Sequence, residues 1–399
     1  MCVDGEMTIT LARRAGGYEA SIVRELLTVG DRPGMRSLAG GLPDPQSFPA
    51  ARLEAAARAV LRSPLGAERA LQYGPTDGLP ELRALLTATP AVQRAAGATD
   101  DEFVVTTGSQ QALHLLAAVL TDPGDSVVVD DPCYLGASQV LRAAGATLVG
   151  MPVDAHGQRI DALADRLRAG LRPKLVYTVP AYQNPSGAVL SGERGARLVE
   201  LARHYGFVVI EDDAYGALGF GAGAPPPEPM GSAAPDVVVT LGTVSKVLAP
   251  GLRVGWLRAQ GELRAAVVRT KQAIDLHTST FTQSLVAELL ADHAFLTSHL
   301  ACITSRYESR AAALAGALRV GSASFAAPNG GLFMWVQLPG VDTTSLFEAA
   351  LAHGVMFVPG RAFAVDASCD EHMRLSFATL PESTLVTCAT EIIRLAGLG

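Results

Sequence analysis

From about residue 100 onward, short β-branched runs alternate with longer stretches rich in Ala, Leu and Arg. The apolar runs fall at 103–106, 126–129, 147–150, 175–179, 207–210, 237–240 and 253–257. Each has the length of a strand buried on both faces. Between them, 109–120, 136–144, 160–169 and 191–205 have helical character. Apolar strands separated by helices predict an α/β fold, with a mostly parallel central sheet and helices on both faces. The tail reads differently: 331–336, 355–358 and 373–377 look like short strands separated by helices, which predicts a smaller α+β lobe. Residues 30–49 are irregular and are expected to cross between lobes, and the Pro/Gly-rich 221–231 reads as a surface loop. The expected division is an arm and crossing segment over 1–48, a large domain over 49–290 and a small domain over 291–399.

Composition narrows the class of molecule. With 399 residues, 49% apolar and 18% charged, the chain is globular and long enough for more than one lobe. The net charge of −7, without a basic block, argues against nucleic acid as the main partner. No apolar run approaches the ~18 residues that cross a bilayer. The start carries Asp4 and Glu6 in place of a basic, then apolar, leader. The five cysteines are scattered without metal spacing, so reduced thiols and a cytoplasmic location are expected.

Candidate chemistry gathers just after the strands, where ligands of open α/β sheets bind. Lys246 is one of only three lysines among 32 basic residues. It follows the hydroxyls of Thr243 and Ser245, with Arg253 close behind: the hydroxyls and guanidinium suit a phosphate. A primary amine beside them suits an aldehyde-bearing phosphate cofactor, because only such an amine forms a Schiff base. The alternative is a solvated loop lysine. In Thr107-Gly108-Ser109-Gln110 a strand turns directly into a helix, so backbone N–H groups plus Ser109 and Gln110 can receive a phosphate; otherwise Ser109 only caps the helix. Glu211-Asp212-Asp213 follows a buried strand, and a carboxylate there can keep a pyridine nitrogen protonated, with Tyr215 reaching the ring oxygen. An acidic turn or a divalent-metal site is the alternative, the latter unsupported by any nearby His cluster. Asn184 can donate to the same ring oxygen, although Asn184-Pro185-Ser186-Gly187 also spells a turn. Tyr134 can stack on a flat ring or serve as a core tyrosine. Strand alternation separates Arg374 from Met373, Leu375 and Phe377, which suits capture of a carboxylate; a rim salt bridge with Glu371 is the competing reading.

Taken in order, Tyr73-Gly74-Pro75, Gly108-Ser109-Gln110, Asn184-Pro185-Ser186-Gly187, Asp212-Asp213-Ala214-Tyr215, Thr243-Val244-Ser245-Lys246, Pro250-Gly251-Leu252-Arg253 and Arg374 resemble one family. This is the fold-type I, class I/II pyridoxal-phosphate aminotransferases, within them the 2-aminoadipate/kynurenine aminotransferase-like subgroup that also forms the C-terminal part of MocR-type regulators. The resemblance covers nearly the whole chain, including Ala39-Gly40-Gly41-Leu42-Pro43-Asp44-Pro45. It departs at Val244, where the family usually has Phe, and at Ser186, where it usually has Thr.

The resemblance implies an aspartate aminotransferase-like fold, pyridoxal 5′-phosphate as cofactor and a homodimer with shared active sites. Lys246 would carry the Schiff base and then shuttle the proton, while Asp212 would pair with the ring nitrogen. Tyr215 and Asn184 would hold the ring oxygen, and Tyr134 would stack. Ser109, Gln110, Thr243, Ser245 and Arg253 would bind phosphate, joined by Tyr73 from a second subunit. Arg374 would grip the substrate α-carboxylate beside the Gly40 backbone. Arg24, on a segment similar to the subgroup's N-terminal helix, would hold a distal carboxylate, unless it merely pairs with Glu25 or Glu19. The implied reaction moves an amino group between an L-α-amino acid and a 2-oxo acid, with glutamate and 2-oxoglutarate as one pair. A lyase, decarboxylase or oxidase on the same scaffold is the alternative, because all share the carbanion. A DNA-binding regulator is disfavoured, since the resemblance begins by about residue 20 and the charge is negative.

Overall fold

The computed structural model describes residues 10–17, 32–221, 223 and 225–398. A short strand β1 (Arg36–Ser37) precedes the eight strands of the large sheet. These are β2 (Phe103–Thr106), β3 (Ser126–Asp131), β4 (Thr147–Asp154), β5 (Gly157–Gln158), β6 (Leu175–Thr178), β7 (Val208–Asp212), β8 (Val238–Thr243) and β9 (Gly255–Arg258). They are followed by β10 (Phe333–Gln337), β11 (Val355–Met356), β12 (Val358–Pro359) and β13 (His372–Ser376).

The large sheet runs in the order β2-β9-β8-β7-β6-β3-β4-β5. The pairs from β8 across to β4 are parallel, whereas β9 is antiparallel to both its neighbours and β5 to β4. Strand alternation divides its side chains between two cores. Val127, Val129, Tyr177, Ile210 and Leu241 pack with the helix Ser109–Leu120 on one face. Val128, Val176, Val209 and Val238 pack with Ile160–Arg168 and Gly192–Tyr205 on the other. Each fully buried Val or Leu of this kind contributes ~1.5–3 kcal/mol of transfer free energy, which makes the sheet a firm platform for the loops at its edge.

The smaller lobe is a three-stranded antiparallel sheet, β10-β13-β12, with β1 and β11 paired in parallel beside it. The helices His293–Leu318, Thr343–Ala352 and Glu382–Leu395 belong to it. Its core is continuous with one face of the large sheet, as Leu314, Met373 and Ile392 share a cluster with Val127 and Leu241. Polar ties cross between the lobes. Asp131, at the end of β3, accepts the backbone N–H groups of Val365, Asp366 and Ala367. Asp44 accepts Arg306 at 2.7 Å and Arg310 at 3.1 Å, and so fastens the crossing segment to the long helix.

Element bounds differ from the sequence reading at two instructive places. The run 253–257 yields a strand only from Gly255, because Arg253 adopts a left-handed φ of 51° at the end of the turn Pro250–Leu252. The run 207–210 continues to Asp212, since Glu211 and Asp212 stay in ladder register with Thr240 and Leu241 whatever their side-chain polarity. Among the described residues, no helix is long and apolar enough to cross a membrane.

Candidate active site

The sheet brings two distant loops together through one residue. Gly255 on β9 lies opposite Thr243 on β8 and opposite Thr106 on β2. The Lys246 loop and the turn after Thr106 therefore emerge side by side. A Cβ on Gly255 would stand 2.7 Å from Gly108 C and Ser109 N, so only glycine permits the approach. Gly108 itself has φ of 78° and caps the helix Ser109–Leu120 without any side-chain bond, and a Cβ there would collide with the Arg253 guanidinium. Ser109 is thus the first helical residue and not the cap. The unpaired N–H groups of this helix start, Ser109 and the exposed Gln110 and Arg253 form an open cationic cradle. Thr243 and Ser245 sit beneath, their hydroxyls 2.9 Å apart.

Lys246 Nζ donates to the Gly41 carbonyl at 2.8 Å and lies 6.0 Å from the Tyr215 ring centre. Burial lowers its pKa to about 8, aided by the charge of Arg374 and opposed by Asp212. This is no solvated loop lysine: the amine is held over the site and is partly neutral near physiological pH.

The three successive carboxylates diverge to three environments. Glu211 accepts from Met230 N, Gly231 N and Thr240 Oγ1, which is a structural role in the sheet. Asp213 pairs with Arg94 at 2.9 Å. Asp212 alone turns to the Lys246 side; its Oδ2 accepts Tyr177 Oη at 2.8 Å, and its Oδ1 is buried without a partner among the described residues. Burial raises its pKa to about 6, while Tyr177 and Lys246 pull it down.

Asn184 Nδ2 donates to Tyr215 Oη at 3.5 Å, and Asn184 Oδ1 accepts Arg374 Nη1 at 2.8 Å. Arg374 Nη2 also donates to the Ala39 carbonyl, next to the buried Gly40. The guanidinium is flanked by Phe333 at 4.3 Å and Phe363 at 4.9 Å, and burial lowers its pKa to about 10. Arg374 makes no rim pair with Glu371, whose carboxylate is taken by Gln337 and Gly340 N.

Tyr134 precedes the helix Leu135–Ala143 and contacts Gln110 Oε1 through its hydroxyl at 3.4 Å. Tyr73 stands apart from this group: it is 78% exposed and lies edge-on to His277 at 5.8 Å. Arg24 lies outside the described residues. Sequence reasoning missed Tyr177, Phe333, Phe363 and the Gly41 carbonyl. All four sit in apolar or glycine-rich contexts, where nothing in the local pattern marks them.

These groups fit a flat aromatic cofactor with one phosphate. Asp212 Oδ1 is an orphaned acceptor that a protonated ring nitrogen would satisfy, and the open cradle suits a dianion. An amine of lowered pKa and a buried guanidinium stand where an aldehyde and a substrate carboxylate would be needed.

Comparison with known proteins gives the family. The family described as aminotransferase class I and II matches residues 39–392. A 2-aminoadipate transaminase from Thermus thermophilus is 39% identical over 372 residues, covering 92% of this chain and 91% of that protein. The aromatic-amino-acid aminotransferase 1 of Thermococcus litoralis is 36% identical over 382 residues, covering 94% and 91%. Among solved structures, a Pyrococcus horikoshii kynurenine aminotransferase in complex with PMP superposes with a TM-score of 0.90 at 35% identity, covering 97% of this chain and 96% of that one. The chain therefore belongs to the class I and II aminotransferases, and it transfers amino groups with pyridoxal 5′-phosphate on the aspartate aminotransferase-like fold.

Proposed function

We propose that this transaminase works through Lys246, Asp212 and Arg374, with glutamate and 2-oxoglutarate as one substrate pair and an aromatic or 2-aminoadipate-type amino acid in the other. The observation that carries the assignment of roles is the buried, unpartnered Oδ1 of Asp212 in a site that also holds a low-pKa lysine. The names of the relatives support the range of amino acids.

When bound, the cofactor supplies an electron sink for the charge left on the substrate α-carbon. Lys246 Nζ would hold the aldehyde carbon until the substrate amine displaces it, and the freed amine would then take the proton from the α-carbon and deliver it to the former aldehyde carbon. Asp212, ionised above about pH 6, keeps a proton on the ring nitrogen through Oδ1 while Tyr177 occupies Oδ2. Tyr215 and Asn184 donate to the ring oxygen, and Tyr134 packs on the ring. Ser109, Gln110, Thr243, Ser245 and Arg253 hold the phosphate. Arg374 clamps the α-carboxylate beside Gly40, so that the α-hydrogen faces Lys246, an orientation effect. Phe333 and Phe363 flank that guanidinium and shield it from water.

The proposal extends to a homodimer in which Tyr73 reaches the partner's phosphate, which its exposed ring supports, and to a cytoplasmic location, which the free thiols at Cys133, Cys302, Cys369 and Cys388 support. It also takes 1–48, 49–290 and 291–399 as arm, large domain and small domain, and assigns Arg24 to a distal substrate carboxylate. The test is a half-reaction: amino acids are added singly to the holoenzyme while its visible absorption band is followed. Bleaching by glutamate, reversed by 2-oxoglutarate, is the expected result. A band that glutamate leaves intact while aromatic amino acids bleach it would remove the glutamate pair.

A further inference from the structure

Behind the turn that carries Ser109 lies a part-buried polar cluster, built around the fully buried Lys271, that none of the roles above uses. Lys271 is 0% exposed and sits one helical turn before Asp275, at the end of Gly261–Asp275. Its Nζ donates to the two Asp275 oxygens at 2.7 and 2.9 Å and to Gln111 Oε1 at 3.2 Å. Gln111 Nε2 completes the triangle with a 2.6 Å bond to Asp275 Oδ2. Burial lowers the pKa of Lys271, and the Asp275 carboxylate opposes that. Burial also raises the Asp275 pKa, but bonds from Lys271, Gln111 and Thr107 outweigh it and leave that carboxyl below its usual range.

The cluster converges on one residue of the cradle. Thr107 N–H donates to Gln111 Oε1 at 2.7 Å. Thr107 Oγ1 donates to Asp275 Oδ2 at 3.2 Å and lies 3.3 Å from Thr278 Oγ1. The remaining polar group, the Thr107 carbonyl, accepts Arg253 Nη2 at 3.1 Å. Every hydrogen-bonding group of the residue just before Gly108 is thus tied down. What three fixed bonds give is position: they hold the backbone that aims the helix-start N–H groups and Ser109.

We infer that Lys271, Asp275 and Gln111 are positioning residues that brace Thr107, and through it the Gly108–Ser109 turn, so that they set how tightly the protein retains its cofactor by the 5′-phosphate. The inference rests on the phosphate-binding role proposed for Ser109 and Arg253. It predicts an effect on a phosphate-bearing ligand that a phosphate-free analogue does not share.

The experiment compares dissociation constants of the apoenzyme for pyridoxal 5′-phosphate and for pyridoxal, both followed by absorption. In Asp275→Asn, affinity for pyridoxal phosphate is expected to fall roughly tenfold or more, with that for pyridoxal nearly unchanged. Thr107→Val, which removes one hydroxyl and keeps the shape, should move the same ratio in the same direction, and it decides the matter if Asp275→Asn fails to fold. Affinities that fall in parallel, or do not fall, overturn the inference. Arg253→Gln serves as the reference. If it leaves the ratio unchanged, the phosphate assignment itself is wrong. If it collapses the ratio while Asp275→Asn and Thr107→Val do not, only the brace is wrong.

Discussion

Arg374 Nη1 and Asn184 Oδ1 are joined by a 2.8 Å hydrogen bond across 190 residues of sequence. The other end of the Asn184 amide faces Tyr215 Oη. One side chain thereby links the group proposed to receive a substrate carboxylate to the group proposed to receive the ring oxygen. A shift in Arg374 is felt at both.

Arg374→Lys tests that link. Lysine keeps the charge but loses the fork that serves a carboxylate, Asn184 and Ala39 together. The expected result is a fall of about a hundredfold in kcat/KM for amino acids, with the visible absorption of the bound cofactor retained. Loss of cofactor binding in step with activity would count against a carboxylate role.

The Lys246 amine should make cofactor capture depend on pH. Only the neutral amine attacks an aldehyde, so reconstitution of the apoenzyme should quicken as pH rises and level off above about 8, where the amine is unprotonated. Removal of the Arg374 charge in Arg374→Met lets the Lys246 pKa rise, which should move that profile to higher pH. A profile that does not respond would show that the two cations do not interact.

Tyr177 holds Asp212 in its charged form by donating to Oδ2. Tyr177→Phe removes that bond, so the Asp212 pKa should climb further above about 6. A carboxylate with a higher pKa is lost earlier as pH falls. The acidic limb of the kcat/KM profile should therefore shift upward by roughly one to two units, about what one buried hydrogen bond to a charge is worth. An unmoved limb would assign it to some other group.

Lys246 also carries a cost that stability measurements can detect. Its folded pKa of about 8 lies below the reference value of 10.5, so the folded protein binds fewer protons there than the unfolded chain. The resulting penalty is fully present below about pH 8 and disappears as pH rises past 10.5. Lys246→Met should raise the apoenzyme's thermal midpoint at pH 7, and the gain should shrink toward pH 10. A gain that is equal at both values would trace the effect to packing instead of charge.

Much of the sheet was legible because its strands are buried on both faces, and continuous β-branched runs reveal that without any tertiary information. The helix at 109–120 matches its sequence reading at both ends, since Gly108 and the apolar spacing mark it locally. Legibility failed where polarity and backbone pairing disagree. Glu211 and Asp212 look like a turn yet continue β7, because their ladder bonds to β8 do not depend on what the side chains carry.

The site divides in the same way. Lys246, Asp212 and Asn184 were identifiable as chemistry-bearing groups from their residue types and their places after strands, and Arg374 from its place in an alternating strand. The resemblance implied a role for each, but their contacts with one another were not readable. Of three adjacent carboxylates, only the fold shows that Glu211 is spent on Met230, Gly231 and Thr240 and Asp213 on Arg94, while Asp212 keeps one oxygen without a partner among the described residues. Tyr177, Phe333 and Phe363 are invisible in sequence because a buried aromatic has the same pattern whether it fills core or flanks a functional group.

What the sequence by itself determined was the alternation of strands and helices, and the set of amine, carboxylate, hydroxyl and guanidinium groups placed at strand ends. Those follow from local burial and local backbone preference. The tertiary structure decided which of these groups meet. Gly255 stands between Thr106 and Thr243, and β13 brings Arg374 over Asn184, because hydrogen-bond registers join segments far apart in the chain. A register is a property of two strands at once, and neither strand's residues encode it alone.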